Sequence, residues 1–388
     1  MSEHKEVLDD EPRSILMGII SQLSRGTDLS RVTLPVFILE PRSFLEKVTD
    51  FMSHPDLIQR AAFVDDPMER FIQIVRYYLS GWHIQPKGVK KPYNPVLGEH
   101  FRCKWTFPDA TEAYYIAEQV SHHPPISAYA IYSPDNYLLA TGELRPKSKF
   151  LGNSAASMLH GSTKVRFLNI PGEEYFITYP NIYARGILFG TMMMELGDCV
   201  TVKCPQNDFI CNVEFKTKGF FSGSYNVIVG TIKKASTGEV LFEIGGTWSD
   251  KMEIRQVQNG RKGPWKLLFD VTTSQVFPKT VVPEEQQEPY ESRRLWLKVT
   301  NALQSRNLNL ATDEKTVIED NQRRMTKERD ENDIDWVPRF FTYKNGEYLP
   351  KLNHISTDPA TANAQIKQFI FSQHEANVSY QELHPTRK

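Results

Sequence analysis

The sequence predicts a mainly β protein with helices at both ends, in which one large antiparallel sheet closes into a barrel. Between about residues 100 and 271, apolar residues recur at every second position, as at Phe101, Cys103, Trp105 and Phe107. This is the period of a half-buried strand. Gly, Pro, Asn and Asp separate roughly a dozen such runs. No helical period interrupts them, and strands without helical crossovers pair antiparallel.

The number of predicted strands indicates whether the sheet is open or closed. An open sheet of about a dozen strands tends to flatten or split, whereas closure into a barrel removes its edges. A barrel of that size leaves a lumen that side chains do not fill, so we expect a cavity for a large apolar ligand. A sandwich of two sheets is the alternative.

Helical periods dominate the first hundred residues. Residues 1–13 are acidic, and we expect them to be flexible. Residues 14–25 carry apolar side chains at i, i+4 spacing before Gly26, which predicts a short amphipathic helix whose packing in a core is favoured over membrane contact. Pro35 forbids a helix interior in the apolar run 34–39, so we expect that run to be extended. We treat 14–40 as one segment and 41–99 as a helical region leading into the barrel, with its last helix beginning at Asp66-Pro67.

The period becomes helical again after the predicted barrel at 100–282. Ser292 is the predicted N-cap of a helix with Leu295, Trp296, Val299 and Leu303 on one face. A second helix is predicted from Thr312 or Asp313 to about Asp330. We expect residues 283–345 to pack on the barrel as a helical subdomain. Residues 346–388 show no clear period and are predicted to be a tail.

Composition excludes several functional classes. The 388 residues hold 46 Lys and Arg against 47 Asp and Glu, so there is no overall basic field for nucleic acid, and an anion site must be a local cluster. No run approaches the roughly 18 apolar residues of a membrane-spanning helix. The four cysteines form no CxxC pair or zinc-type spacing, which favours free thiols in the cytosol over a disulfide or metal site.

Standard enzyme signatures are missing from the sequence, which makes an enzymatic function less favoured. There is no GxGxxG, Walker loop or HExxH, and the nearest approach to GxSxG, residues 152–156, ends in alanine. A hydrolase using Ser121 with His122, or Ser154, stays as a rival, although nothing marks an orienting acid or an oxyanion hole.

Three polar segments could bind an anion. In EQVSHHPP, His122 and His123 should lie at the rim of the sheet, on opposite faces of a strand. Such a pair is a poor metal site, but its rings can donate N–H groups to an anion. The alternative is that the two rings only satisfy carbonyl groups of the loop. Lys315, Glu319 and Arg323 share a helix face by their i, i+4, i+8 spacing, although twelve charged residues between 313 and 331 equally suit a solvated helix. The third segment is KKPYNPVLGE, residues 90–99.

KPYNPVLGE followed by EQVSHHPP resembles the oxysterol-binding-protein-related family of lipid-transfer proteins, which includes the yeast Osh proteins. The resemblance covers about residues 14–345. It implies one lipid-binding domain: an incomplete, curved β-barrel around a lipid tunnel, with an N-terminal lid over 14–40 and a C-terminal helical extension. It also implies a phosphoinositide headgroup site made of Lys91, Asn94, His122, His123, Lys315, Glu319 and Arg323. Several charged donors are what a phosphomonoester needs at a partly dry rim.

The second lipid is suggested by two further runs. Residues 33–40 and 146–154 resemble the phosphatidylserine-transferring branch, which implies a serine-lipid site of Leu39, Lys91, Asn94 and Ser148. We therefore predict a monomeric, cofactor-free, non-enzymatic exchanger of phosphatidylserine and phosphatidylinositol 4-phosphate. It should be cytoplasmic and touch membranes transiently where endoplasmic reticulum meets plasma membrane, and its N-terminal region is a candidate for binding a protein tether. A sterol exchanger and a phosphoinositide-sensing scaffold remain alternatives.

Overall fold

The computed structural model describes residues 23–29, 35–84, 90–187, 192–219, 223–352 and 354–372. The flexible segment predicted for 1–13 and most of the helix predicted for 14–25 lie outside these ranges, as do residues 373–388 of the predicted tail.

One sheet of fourteen strands forms the body of the protein, and its neighbouring strands pair antiparallel, as the alternation predicted. It is one sheet, so the two-sheet sandwich is wrong. Its strands are β3 His100–Thr106, β4 Glu112–His122, β5 Pro125–Ser133, β6 Leu138–Phe150, β7 Ser154–Phe167, β8 Glu174–Ile177, β9 Asn181–Arg185, β10 Met193–Cys204, β11 Phe209–Lys216, β12 Val227–Lys234, β13 Val240–Thr247, β14 Lys251–Gln258, β15 Arg261–Lys262 and β16 Lys266–Asp270.

The sheet curls around a common core. Phe101 of the first strand and Phe269 of the last belong to the same hydrophobic cluster. In the part of the chain that the structure describes, no ladder joins β3 to β15 or β16. The free edge of β3 is instead covered by the segment after β16, because Lys104 and Thr280 exchange backbone hydrogen bonds of 3.0 and 2.7 Å.

A helix fills much of the interior. It spans Pro67–Ser80 (α3), and the Asp66 side chain caps it by accepting from the amide of Glu69 at 2.8 Å, as predicted. Phe71, Ile74 and Val75 are fully buried. A cavity between this helix and the sheet, lined mainly by aromatic and β-branched side chains, has a volume of about 20 Å³, enough for about one water. Side chains of α3 thus pack inside the curled sheet, where the strand count predicted a lumen.

Two short helices precede α3, Phe44–Lys47 (α1) and Pro55–Ala61 (α2). Before them Leu39–Ser43 (β1) pairs in parallel with Lys91–Tyr93 (β2). The run predicted to be wholly extended is so only from Leu39, because Val36–Ile38 forms a 3-10 turn in which the Leu39 amide donates to the Val36 carbonyl.

The C-terminal helices are Ser292–Leu295 (α4), Leu297–Gln304 (α5) and Leu308–Glu331 (α6). Two predictions about them were wrong. Glu291, not Ser292, occupies the N-cap position of α4. The start of α6 lies at Leu308, where the Asn307 side chain caps the helix by accepting from the Leu310 amide at 3.1 Å.

Described residues of the predicted tail form regular structure. Glu347–Pro350 (β18) pairs with Phe341–Lys344 (β17), which precedes the tail, and the helix Pro359–Phe371 (α7) follows. Ile366 and Ile370 of α7 pack with Tyr114 and Ile116 on the other face of the sheet. No helix among the described residues combines the length and the apolar character needed to cross a bilayer.

Candidate functional site

The two motifs of the sequence lie side by side. After β2, the chain turns through Asn94 and Pro95 and then runs beside the end of β4. The Gly98 amide donates to the Gln119 carbonyl at 2.9 Å, and the Gln119 amide donates to the Glu99 carbonyl at 2.8 Å. Gly98 has φ +78°, and a Cβ there would lie 2.4 Å from the Trp336 ring, so only glycine fits. The loop is therefore fixed against the strand that ends in the histidines.

Glu99 holds this loop from within the protein. Its carboxylate is fully buried and accepts four hydrogen bonds, from Ser43 Oγ (2.5 Å), Ser292 Oγ (2.7 Å), Trp296 Nε1 (2.9 Å) and the Val96 amide (3.1 Å). Burial raises its pKa, against the effect of these donors. Glu99 thereby ties β1, the loop and α4 together. Sequence reasoning missed this role, and the signal available was a lone carboxylate directly after an apolar run.

Glu118 ties β4 to the C-terminal segment in the same way. Its carboxylate accepts from the backbone amides of Arg339 (2.7 Å) and Phe340 (2.8 Å). Burial raises the pKa of Glu118 to about 7, against the two amide hydrogen bonds. The acidic residue of EQVSHHPP is thus a buried structural group.

The two histidines lie together at the rim of the sheet. Their ring centroids are 4.6 Å apart. The expectation that they point to opposite faces was wrong, because β4 ends at His122 and His123 belongs to the following turn. His122 Nδ1–H donates to the Pro95 carbonyl at 3.1 Å. Burial, helped by the proximity of His123, lowers the pKa of His122 to about 4. In the neutral ring Nε2 is then an acceptor, and it becomes a donor only on protonation.

Lys91 of β2 lies near Lys315 and Glu319 of α6. It is directly opposite Leu39 in the β1–β2 ladder and retains access to solvent. The surrounding protein lowers its pKa, the like charge of Lys315 lowers it further, and Glu319 opposes both. Glu319 also acts on His122, favouring its charged form. Lys91 of β2 and His122 at the end of β4 therefore both lie near the Glu319 carboxylate of α6.

The predicted face of α6 is confirmed as a spatial cluster. Lys315 Nζ lies 2.5 Å from Glu319 Oε1, and Arg323 Nη2 lies 3.8 Å from Glu319 Oε2. Arg323 also contacts Asp320 and is 65% exposed. Asn94, in the loop after β2, is exposed to solvent. We call Lys91, Asn94, His122, His123, Lys315, Glu319 and Arg323 the rim site.

The residues predicted for the serine lipid lie in two places. The Leu39 side chain is 8% exposed and packs in a cluster with Tyr93, Trp296 and Val299. Ser148 lies in the β6–β7 ladder opposite Ser157. Among the described residues, no hydrogen bond or ion pair joins Ser148 to Lys91 or Asn94.

A link between these places runs through Phe37. Its side chain packs near Leu29 and Phe150, and its carbonyl accepts from Lys90 Nζ at 2.8 Å. The backbone of Thr27 accepts from the Phe150 amide at 2.9 Å. The described part of the N-terminal segment therefore lies over the β6–β7 hairpin.

Among the described residues, Ser121 and His122 do not form a hydrolase pair, and no metal site is formed. Ser121 Oγ donates to the Pro124 carbonyl at 2.7 Å, and His122 Nδ1 faces Pro95, so neither pairs with the other as a nucleophile and base would. Among the described residues no group of three His, Cys, Asp or Glu side chains is placed to hold a metal ion.

Comparison with known proteins shows which family the chain belongs to. The sequence profile of the oxysterol-binding protein family matches residues 18–367. The chain belongs to this family. It is 46% identical over 347 residues to oxysterol-binding protein homolog 6 of Saccharomyces cerevisiae, covering 88% of this chain and 77% of that one. It is 47% identical over 334 residues to oxysterol-binding protein-like protein OBPa of Candida albicans, covering 86% and 76%.

Solved structures of the family show the same fold. The Osh1 ORD domain, crystallised with ergosterol, has a TM-score of 0.73 at 23% identity and covers 97% of this chain and 93% of its own. The Osh3 ORD from Saccharomyces cerevisiae, crystallised with PI(4)P, has a TM-score of 0.66 at 20% identity, covering 93% and 94%. The mainly β fold with flanking helices, and the resemblance inferred from the two motifs, are confirmed.

Proposed function

We propose that the protein is a non-enzymatic lipid exchanger, which carries phosphatidylserine and phosphatidylinositol 4-phosphate alternately between membranes. The observation that supports this most is the rim site, where Lys91 of β2, His122 at the end of β4 and Lys315 and Arg323 of α6 surround Glu319. A phosphomonoester carries nearly two negative charges and needs several charged donors to replace its water. The Osh3 ORD crystallised with PI(4)P supports a ligand of this class.

The rim residues have different parts in this proposal. Lys91 and Lys315 repel each other in the free protein, and an anionic phosphate between them would relieve that repulsion. Glu319 holds Lys315 in place at 2.5 Å. Asn94 bonds an inositol hydroxyl or a phosphate oxygen, and His122 and His123 become additional donors when protonated.

The acyl chains enter the interior of the sheet. A two-chain lipid needs far more room than the cavity of about 20 Å³, so binding requires the aromatic side chains that line it, including Tyr77 and Tyr179, to move apart. The serine headgroup lies near the backbone of Leu39, beside Lys91, and its glycerol and acyl chains lie towards Ser148. The N-terminal segment covers the bound lipid.

A sterol as the second cargo is favoured by one feature of the interior. Tyr179 hydroxyl lies 2.7 Å from Thr163 Oγ1 and 3.1 Å from the Tyr129 hydroxyl. This buried group could bond the single hydroxyl of an otherwise apolar ligand. The Osh1 ORD structures contain ergosterol and cholesterol.

The test is to incubate the purified protein with liposomes and to identify the lipid that it extracts by native mass spectrometry. We expect intact phosphatidylserine or phosphatidylinositol 4-phosphate, one molecule per monomer, and each should displace the other. A sterol in place of the serine lipid would establish the alternative cargo. Lysolipid or free fatty acid would show hydrolysis, and headgroup binding without transfer between liposomes would show a sensor; either result would overturn the proposal.

The cellular setting is part of the same proposal. We place the protein in the cytoplasm at contacts between endoplasmic reticulum and plasma membrane, where the two lipids would be exchanged. Its N-terminal region would bind a tether there.

A further inference from the structure

An open groove lies between α6 and the loop that follows β2. Its volume is about 160 Å³, whereas a single water needs only about 10–15 Å³. Its walls are mainly apolar and include Val96 and Leu97 of the loop, Tyr290, and Ile318 and Met325 of α6. The Tyr290 hydroxyl donates to Met325 Sδ at 2.9 Å, which joins two of these walls. We call this feature the α6 groove.

The α6 groove and the rim site lie on neighbouring faces of the same helix. Ile318, Gln322 and Met325 follow one another at i, i+4 and i+7, the spacing of one helix face. The Leu97 amide donates to Gln322 Oε1 at 2.8 Å, and this contact lies between the groove and the rim site. The groove therefore marks the junction where the loop that carries Asn94 meets α6.

The groove is accessible from solvent. Val317, which lines it, is 63% exposed, and Tyr290, Leu295 and Met325 are partly exposed. An apolar surface that is grouped in a concave site favours binding of an apolar group, because covering it removes the surface from water. We therefore looked for an occupant near it.

Residues 373–388 lie outside the described ranges, but the point from which they depart is close to the groove. The Ser372 carbonyl accepts from Arg339 Nη2 at 3.2 Å, and the same nitrogen lies 3.2 Å from Glu288 Oε1. Glu288 is two residues before Tyr290, and successive Cα atoms are about 3.8 Å apart. A chain that leaves Ser372 therefore starts a few residues' length from the groove.

The sequence of residues 373–388, QHEANVSYQELHPTRK, is polar apart from three large apolar side chains, Val378, Tyr380 and Leu383. Tyr380 follows Ser372 by eight residues. An extended chain covers up to about 3.3 Å per residue, so Tyr380 can lie anywhere within roughly 26 Å of Ser372. This reach is most of the length of α6, which at about 1.5 Å per residue is roughly 36 Å long.

We propose that residues 373–388 bind in the α6 groove, with the Tyr380 ring as the anchor. A tyrosine suits an open apolar groove, because its ring covers apolar surface while its hydroxyl stays near water. A segment attached at Ser372 meets the groove at an effective concentration in the millimolar range, so a weak contact is enough to keep it bound. A second copy at micromolar concentration would need an affinity roughly a thousandfold higher. The described part of the N-terminal segment lies elsewhere, over the β6–β7 hairpin.

The bound segment would cover the junction between α6 and the loop after β2. Both elements carry residues of the rim site, so the segment would fix their relative position from the side away from that site. The inference stands whether or not the rim site binds a phosphoinositide.

The test is photocross-linking in the full chain. Tyr380→p-benzoylphenylalanine keeps an aromatic ring and links to neighbouring C–H groups on irradiation. We expect mass spectrometry to place the link in 290–297 or 317–329 of the same chain, at a yield that does not change with protein concentration. Phe63→p-benzoylphenylalanine is the matched control, because Phe63 is 61% exposed and its ring centroid lies 5.9 Å from that of Tyr137. It should link near Tyr137 and not to α6.

Two further changes are made in the Tyr380→p-benzoylphenylalanine chain. Val317→Glu puts a charge at the groove without disturbing the core and should lower the yield about tenfold. Leu383→Ser should also lower the yield, and it changes no residue of the described structure. Val276→Glu is the control for the added charge, since Val276 is 47% exposed and does not line the groove; its yield should equal that of the parent.

Links confined to other parts of the chain would overturn the proposal, as would a yield that neither Val317→Glu nor Leu383→Ser lowers. A covalent dimer linked through the α6 groove, with a yield that rises with protein concentration, would place a second copy there and would also overturn it.

Discussion

The indole nitrogen of Trp296 donates a hydrogen bond of 2.9 Å to the carboxylate of Glu99, 197 residues earlier in the chain. Tyr93 stacks on the same indole with ring centroids 4.6 Å apart. The strand that carries Lys91 is therefore braced against the C-terminal helices. The Leu97 amide also donates to Gln322 Oε1 of α6 at 2.8 Å, so the motif KPYNPVLGE is joined to helices that are distant in sequence.

Glu99→Ala should lower the free energy of unfolding by about 3–5 kcal/mol, because it leaves buried donors on Ser43, Ser292 and Trp296 without their acceptor. Glu99→Gln keeps one acceptor oxygen and should cost less. Denaturant unfolding of the three proteins measures this. An Ala variant as stable as the wild type would contradict the bracing role.

His122→Ala with His123→Ala should abolish extraction of phosphatidylinositol 4-phosphate, because the pair supplies donors to the phosphate at the rim. The melting temperature should change little, since His122 is only partly buried and His123 is exposed. His160→Ala is the control, because His160 is exposed on β7. Extraction from liposomes at the original rate by the double variant would show that the histidines only satisfy the loop.

Binding of the phosphoinositide should take up protons through His122. The pKa of this ring is about 4 in the free protein, and a nearby phosphate raises it. Between the free and bound pKa values the complex holds more protons than the free protein, so this group strengthens binding as pH falls through that window. Calorimetry in buffers of different ionisation enthalpy counts the protons. His122→Gln should lower the count, and an unchanged count would assign the uptake elsewhere.

Glu118 should make a measurable contribution to the pH dependence of stability. Its pKa is about 7 when folded and about 4.3 when unfolded. The folded state therefore holds the extra proton between these values, and the contribution of Glu118 to stability falls as pH rises across them. His83 and His122, both with pKa about 4, and His100, with pKa about 3, act in the opposite sense.

The comparison that isolates Glu118 is the difference in unfolding free energy between wild type and Glu118→Gln. The wild type should gain on the variant as pH is lowered from 8 to 5. A difference that is constant over this range would mean that the carboxyl is ionised throughout.

Leu39→Ala and Val299→Ala should each cost about 2–4 kcal/mol of stability, since both side chains belong to one buried cluster. Only Leu39 lies in the strand opposite Lys91. If the serine headgroup binds there, Leu39→Ala should also slow phosphatidylserine transfer at a temperature where both variants are folded. Equal transfer by the two variants would make Leu39 a packing residue only.

Local patterns in the sequence determined much of this molecule. The alternation at Phe101, Cys103 and Trp105 fixed the strands because a half-buried strand has a period of two. Asp66-Pro67 fixed the start of α3 because its cap uses only neighbouring residues. The motifs KPYNPVLGE and EQVSHHPP were enough for the family.

Other features were decided only by the tertiary structure, because they depend on groups far apart in the chain. Lys315 and Glu319 look like an ordinary ion pair on a solvated helix until Lys91, more than two hundred residues away, is placed beside them. Leu39 was predicted to contact the serine lipid, and only the tertiary structure shows that its side chain belongs to one buried cluster with Trp296. A strand count cannot tell how much of a lumen is open, since side chains of α3, a helix that precedes the sheet in the sequence, pack inside it.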